Sequence, residues 1–447
     1  MHIGTLQLFS IPDDVGEGYV ARAVEEMRSF GEVEPPFDRR IVTRYGQDFW
    51  DVDRYFDLDH HVRHASLPAP GRIRELLAYV SVEQSHLMDR ERPLWEVHVI
   101  EGLADRKFAI YTKIHHAMMD GSAGMRLMRR VLSPDPAFRG CTPVWAVPRR
   151  APRDDASARP SEAGSPLDVA RASTNRLAST VGHFAREVRS SIVVNRKGIA
   201  LRGSSDAPQC LLNEKITGSR RFAAQSFRIE RFQDVATAFG CTLNDVVLAV
   251  CGGALREYLR SLRELPDESL VALVPVSLHD TEDRESGNEI ALILASLGTD
   301  RADAAARLRA IVASVRDAKS RIASMTDEEK LAATGLSMMP AGFNILSGGR
   351  GPSPGFNVVI SNMRGPKQTL YWNGAELDGV YPVAFLIDHV ALNITLLSYR
   401  DHLEFGVTAC RRTLPSIQRL LAYLESSLLD LERAAERTVV ARREANP

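Results

Sequence analysis

Residues 95–121 read WEVHVIEGLADRKFAIYTKIHHAMMDG, and the fold turns on this stretch. Trp95, Val97 and Val99 alternate with Glu96, His98 and Ile100, the period-two pattern of a strand. After a turn at 102–106, Phe108, Ile110, Thr112 and Ile114 again take every second position. The two runs predict a hairpin whose second strand leads directly into His115 and His116. Beyond it, Gly121, Gly124, Met125, Met128 and Leu132 fall at helical spacing. The two histidines therefore stand where a strand gives way to a turn and a helix.

Outward from this stretch, strand and helix patterns alternate without a regular βαβ repeat. RRFAAQSFRI (220–229) reads as a strand, and Thr242 is placed to cap a helix that buries Val246, Val247, Val250 and Leu255. Strands are expected at 270–276, 289–297 and 356–361, with a helix carrying Leu308, Ile311 and Val315 among them. Trp372-Asn373-Gly374 suggests a tight turn, 392–397 and 403–407 a strand pair, and 417–433 a last helix. PVWAVPRRAPRDDASARPSEAGSP (143–166) has the composition of a linker, and Leu177, Val181, Phe184, Val188 and Ile192 mark an amphipathic helix behind it. The pattern predicts an α/β protein of α+β type. Its expected divisions are 1–142, a connecting segment at 143–219, and 220–447.

The bulk numbers agree with two cores, since 447 residues exceed one ordinary domain. Lys plus Arg (56) nearly balances Asp plus Glu (57), so no overall field argues for a nucleic-acid partner. Cys141, Cys210, Cys241, Cys251 and Cys410 are scattered, with no Cys-x-x-Cys pair to suggest a metal site. The opening MHIGTLQLFSIPDD has no basic region followed by a long apolar core, so no signal peptide is read there. The longest apolar runs fall far short of the roughly 20 residues that span a bilayer. A cytoplasmic setting with at most peripheral membrane contact is expected.

His-His-x-x-x-Asp-Gly supplies an imidazole able to accept a proton near neutral pH, a carboxylate that can fix local geometry, and a glycine that permits an unusual backbone angle. No serine nucleophile is convincing, because Ser353, the centre of the one Gly-x-Ser-x-Gly, lies between Pro352 and Pro354. A base without a protein nucleophile points to a nucleophile in the second substrate, such as an alcohol. Adjacent strand side chains face opposite ways, which disfavours a zinc site at His115 and His116, and no metal is expected. From residue types alone, a polar strand end stays open as the alternative, and His60-His61 is read that way.

The motif, with the ordered segments MHIGTLQLF, FDLDHHVRH, RPLWEVHVIEGL, TLNDVVLAVCGGALR, FNVVISNMRGP, LYWNGAELDGVYPV and ALNITLLSY, resembles the bacterial wax ester synthase/diacylglycerol acyltransferase family over nearly the whole chain. That resemblance implies two chloramphenicol-acetyltransferase-like domains with mixed sheets and a substrate tunnel between them. It implies transfer of a fatty acyl group from acyl-CoA to a long-chain alcohol or a diacylglycerol. His116 is then the general base, with no acyl-enzyme and no cofactor, acyl-CoA being a substrate.

His115, Asp120 and Gly121 take supporting roles, with Asp120 expected to pair with an arginine. Asn244 and Asp245 resemble a family Asn-Asp element, and two readings stay open: an oxyanion donor, or a cap of the first helical turn. Pro93, Leu94, Trp95, Asn357, Ser361 and Asn362 are read as tunnel-lining or structural. The arginines of the connecting segment are placed to attract CoA phosphates or lipid head groups, or to form a solvated face. The implied setting is the inner membrane or a lipid inclusion, and a homodimer is compatible with it. Two departures stand out: Met363 replaces the usual Val, and relatives commonly carry a short stretch ahead of the segment matching Met1. The rival readings are a condensation domain using carrier-bound acyl groups and a non-catalytic protein that coats lipid inclusions.

Overall fold

The computed structural model describes residues 1–148, 207–277, 290–324 and 355–445. The linker from 149 onward and the amphipathic helix expected at 177–192 lie outside the described residues.

In chain order the elements are β1 (His2–Ser10), α1 (Tyr19–Ser29), β2 (Arg39–Arg44), β3 (Gln47–Val52), α2 (Leu58–His61), β4 (Val62–Ser66), α3 (Ile73–Ser85), β5 (Trp95–Leu103), β6 (Lys107–His115) and α4 (Gly121–Val131). The second half contributes β7 (Arg220–Arg228), α5 (Ile229–Phe239), α6 (Leu243–Leu262), β8 (Val271–Ser277), β9 (Ile290–Ser296), α7 (Ala304–Ala323), β10 (Val358–Arg364), β11 (Tyr371–Trp372), β12 (Ala375–Val383), β13 (Leu392–Tyr399), β14 (His402–Cys410) and α8 (Arg419–Ala445). The expected hairpin is β5–β6, paired antiparallel from Trp95↔Ile114 onward. Several boundaries differ from expectation, with β10 and β14 each ending three residues later than expected. β10 starts two residues later than 356 because Phe356 and Asn357 enter a hydrogen-bonded corner, and α8 runs to Ala445 rather than ending near 433.

Two six-stranded mixed sheets organise the chain. The first runs β11-β12-β1-β6-β5-β4, and the second β7-β14-β13-β10-β8-β9. Pairing is antiparallel except for β4–β5, β10–β13 and β8–β10. Sheet membership does not follow chain order, since β12 from the second half pairs with β1 and completes the first sheet. The Asn373–Gly374 turn before it has both φ values positive (48° and 85°), the geometry of a tight hairpin. β12 also lies against β14 so closely that a Cβ on Gly406 would sit 1.8 Å from the Pro382 carbonyl oxygen. Only glycine allows that crossing.

Helix α3 joins the halves by polar contacts. Ser81 and Ser85, one turn apart on α3, accept hydrogen bonds from the N–H groups of Phe222 and Arg220 at 2.8 Å each. These serines cap the exposed edge of β7, which otherwise presents unpaired N–H groups. Around this seam Leu6, Leu8, Tyr111, Phe222 and Val383 form a common core.

A buried acid near the seam gives a testable consequence. Burial pushes Glu404, 2% exposed, up from 4.5 to about 7, although a short hydrogen bond from Ser226 acts against the shift. A raised folded-state value means stability that is complete below pH 4.5 and is lost as pH rises to about 7. At about 1.4 kcal/mol per pH unit, that interval corresponds to about 3 kcal/mol. Glu404→Gln is therefore expected to match the parent near pH 4.5 and exceed it by up to about 3 kcal/mol at pH 8. Urea melts at the two pH values read this out, and equal gains at both would contradict it.

Candidate active site

The β5–β6 hairpin ends beside the first residues of β1. His2 of β1 is in register with His115, and Met1 follows the same line beyond the strand end. The His115 N–H donates to the Leu94 carbonyl at 2.9 Å, and the His116 N–H donates to the Met1 carbonyl at 3.0 Å. A turn then closes from the Met118 N–H to the His115 carbonyl at 2.9 Å. Backbone bonds thus fix both histidines before any side chain is considered.

The two rings differ. His115 is half-buried, with its Nε2 3.2 Å from the Met1 amino nitrogen and its Nδ1 accepting from the Ala117 N–H at 3.2 Å. Burial, followed by the charges of the Met1 amino group, His116 and Arg90, holds it down at about 4. Such a ring is a weak base. His116 is exposed, and among the described residues its ring nitrogens have no hydrogen-bond partner. Its ring meets Phe385, from the segment after β12, edge to face at 5.2 Å between centroids. Phe385 carried no periodic or motif signal, and it is the residue that brings the second half against His116.

Asp120 does not take the expected arginine partner among the described residues. Partial burial raises its carboxyl, but hydrogen bonds from the Ala123 N–H (2.7 Å) and the Ser122 hydroxyl (2.8 Å) hold it below the usual range. It is the N-cap of α4, a role that the turn-to-helix position already favours. Gly121 has no positive φ, so the expected backbone reason for a glycine fails. A Cβ there would lie 3.1 Å from the Met363 sulfur, on β10, so that flexible side chain would have to give slightly. The substitution of Met for Val at 363 is therefore a contact between the motif and the second sheet.

The other candidate residues separate clearly. Pro93, Leu94 and Trp95 are buried, and the Trp95 indole donates to the Phe37 carbonyl at 2.8 Å and stacks on His61 at 4.4 Å. His61 is consequently a core ring rather than a polar strand end, with burial lowering it to about 4. Asn357 is wholly buried and clamps the second sheet: its amide donates to Pro208 O and Asn213 Oδ1 and accepts from the Val271 N–H. Ser361 and Asn362 are half-buried on β10, beside Thr395 and Leu396 of β13. Asp245 completes a capping box with Thr242, its Oδ2 accepting from the Thr242 N–H at 2.9 Å. Among the described residues its other oxygen is buried without a partner. Asn244, half-buried in the first turn of α6, takes no part in that cap.

Behind the histidines lies a polar network that the sequence did not announce. Gln84 donates to the His2 and Ala384 carbonyls (3.1 and 3.2 Å) and accepts from the Tyr111 hydroxyl at 2.6 Å. It thereby ties the start of β1 to the residue before Phe385. Lys113, fully buried, donates to the Glu83 and His86 carbonyls and lies 3.7 Å from Glu96. Glu83, Glu96 and His98 form a metal-like grouping, but the Lys113 ammonium and the Arg63 guanidinium already supply its positive charge.

The family model described as the wax ester synthase/diacylglycerol acyltransferase catalytic domain matches residues 1–247, and the WS/DGAT C-terminal domain matches residues 286–432. The O-acyltransferase WSD of Acinetobacter baylyi is 43% identical over 96% of this chain and 92% of its own. The structure of a wax ester synthase/diacylglycerol acyltransferase from Marinobacter aquaeolei aligns at TM-score 0.77 and 45% identity, covering 98% of this chain and 95% of that one. The first condensation domain of the CDA synthetase aligns at TM-score 0.55 with 16% identity over 97% of this chain and 90% of its own, a likeness of fold alone.

Proposed function

Because the chain belongs to the wax ester synthase/diacylglycerol acyltransferase family, we propose that it transfers a fatty acyl group from acyl-CoA to a long-chain alcohol or a diacylglycerol, with His116 as general base. The observation that carries this reading is the placement of His116. It is an exposed imidazole with no polar partner among the described residues, fixed by its backbone where residues of both halves meet.

In the proposed step a ring nitrogen of His116 takes the proton of the acceptor hydroxyl as that oxygen attacks the thioester carbonyl. The tetrahedral intermediate collapses by breaking the carbon–sulfur bond, and the leaving thiolate recovers the proton from the imidazolium. The thioester arrives activated, so the balance needs no cofactor. Asn244 supplies a neutral amide that can donate to the oxyanion, and Asp245 holds its helical turn by the capping box. The acceptors partition into lipid, and among the described residues no single helix is long and apolar enough to cross a membrane. Peripheral attachment on the cytoplasmic side, at the inner membrane or a lipid inclusion, follows as part of the proposal, with a channel between the halves for the apolar chains.

Release of free thiol from palmitoyl-CoA, measured with and without hexadecanol or a diacylglycerol, tests the reading. Release that depends on the acceptor and yields the ester is expected. Thiol release independent of any acceptor, or ester formation from carrier-bound acyl groups alone, would overturn it.

A further inference from the structure

Hydrogen bonds fix the backbone of His116 but not its ring. The bond from its N–H to the Met1 carbonyl leaves both side-chain torsions open, and among the described residues the ring nitrogens have no polar partner. A general base must nevertheless hold one nitrogen towards the proton it takes, and misplacement costs rate. The side chain that does meet the imidazole is Phe385, edge to face, with 5.2 Å between centroids and 72° between the planes.

Phe385 stands on a segment tied down on either side of it. Ahead of it, the Ala384 N–H donates to the Thr408 hydroxyl of β14 at 3.2 Å, and the Ala384 carbonyl accepts from the Gln84 amide at 3.2 Å. Behind it, Leu386 is buried in the core of the second sheet. The Val390 N–H then closes a turn onto the Ile387 carbonyl at 3.0 Å, and the Asn213 amide donates to the His389 carbonyl at 3.1 Å.

The same glutamine serves the other member of the pair. Its amide also donates to the His2 carbonyl at 3.1 Å, one residue from the Met1 carbonyl that receives the His116 N–H. Gln84 is 2% exposed, so one buried carboxamide ties together the two backbones whose rings meet. Phe385 has no polar atom to offer water, and water is the natural competitor at this place. A water whose proton went to the same ring nitrogen would attack the thioester carbonyl, break the carbon–sulfur bond, and release thiol and free fatty acid.

We propose that Phe385 is a positioning residue for His116: it walls one side of the imidazole, limits its rotation and keeps water from the place of the acceptor hydroxyl. This rests on His116 acting as the base, as read above. Phe385 takes no proton itself and acts through the imidazole.

The test follows thiol release and ester formation separately, with palmitoyl-CoA and hexadecanol, in the parent, Phe385→Ala and Phe385→Leu. Phe385→Ala is expected to lower kcat for ester formation about 3- to 10-fold, the rate equivalent of one aromatic pair. KM for both substrates should stay within about twofold, because the contact orients the base rather than binding substrate. Thiol released without ester should rise severalfold relative to ester. Phe385→Leu restores apolar bulk and should recover most of kcat and of the ester-to-thiol ratio. Adding Phe385→Ala to His116→Ala should change the residual rate by less than about twofold, since no imidazole is left to place. Urea melts of each variant set the folded fraction to which rates are referred.

Three results overturn the role: an unchanged kcat and ester-to-thiol ratio in Phe385→Ala, a Phe385→Leu as impaired as the alanine variant, or the same loss with and without the His116 imidazole. Full activity in His116→Ala would instead defeat the base, and the positioning role with it.

Discussion

His116→Ala is expected to lower kcat for acyl transfer by about 10²–10⁴-fold while leaving the fold intact. The rate loss follows from removing the base that takes the hydroxyl proton in the step where charge develops. The stability expectation follows from position. The ring is exposed, its nitrogens have no polar partner among the described residues, and its contact with Phe385 is a single edge-to-face pair. The hydrogen bonds that fix this turn come from backbone groups of His115, His116 and Met118, which alanine retains. Unfolding in urea should therefore shift by no more than about 0.5–1.5 kcal/mol. His115→Ala makes the contrast. It removes a ring bonded to the Ala117 N–H and set against the Met1 amino group, so its cost should appear first in stability. A His116→Ala enzyme that keeps a tenth or more of parental kcat would eliminate the imidazole as base.

The hairpin at 95–115 and the helix at 243–262 were legible because their signals are local: strict alternation in one, a threonine cap and an apolar face in the other. The position of the histidines at a strand end followed from the same alternation. What could not be read depends on contacts between distant residues. β12 enters the first sheet by pairing with β1 across more than 360 residues, and antiparallel pairing leaves no trace in either segment alone. Phe385 reaches His116 only because that pairing brings residues 384–385 to the start of β1. Asp120 caps α4, its carboxylate accepting from the Ala123 N–H three residues on, a supporting role that its place between turn and helix already favours. Gly121 has no positive φ, so the backbone demand expected of it is absent, and a glycine letter alone does not say which demand, if any, it meets. His61 looks polar in the chain and lies under Trp95 in the fold.

Lys113→Ala is expected to destabilise the protein by about 3–5 kcal/mol, a large part of the total stability of a typical domain. The ammonium is wholly enclosed, and three acceptors depend on it: the Glu83 and His86 carbonyls at 2.9 and 2.8 Å, and the Glu96 carboxylate at 3.7 Å. The Glu83 and His86 carbonyls lie at the C-terminal end of α3, where helical N–H partners run out; the Glu83 carbonyl accepts the His86 N–H at 3.2 Å, and the Lys113 ammonium is its second donor. Among the described residues, removing the ammonium leaves the buried Glu96 carboxylate with only Arg63 and His98 to offset its charge, and breaking such a set costs more than the pair contributed.

Lys113→Met separates charge from volume. It refills most of the space, so instability that persists in it belongs to the orphaned acceptors. Adding Glu96→Gln to Lys113→Met should then recover part of the loss. Acid titration gives a further sign. Burial opposes the ionised form of Glu96, yet hydrogen bonding to His98 and the charges of Lys113 and Arg63 hold it down at about 2. A depressed value means stability present above pH 4.5 and lost as pH falls toward about 2. Without Lys113 that acid-side loss should shrink, and urea midpoints at pH 7 and pH 3.5 should converge. Because Lys113 lies two residues before His115 on β6, catalysis per folded molecule should fall along with stability. A Lys113→Ala protein within 1 kcal/mol of the parent at pH 7 would mean that the network behind the histidines is held by packing alone.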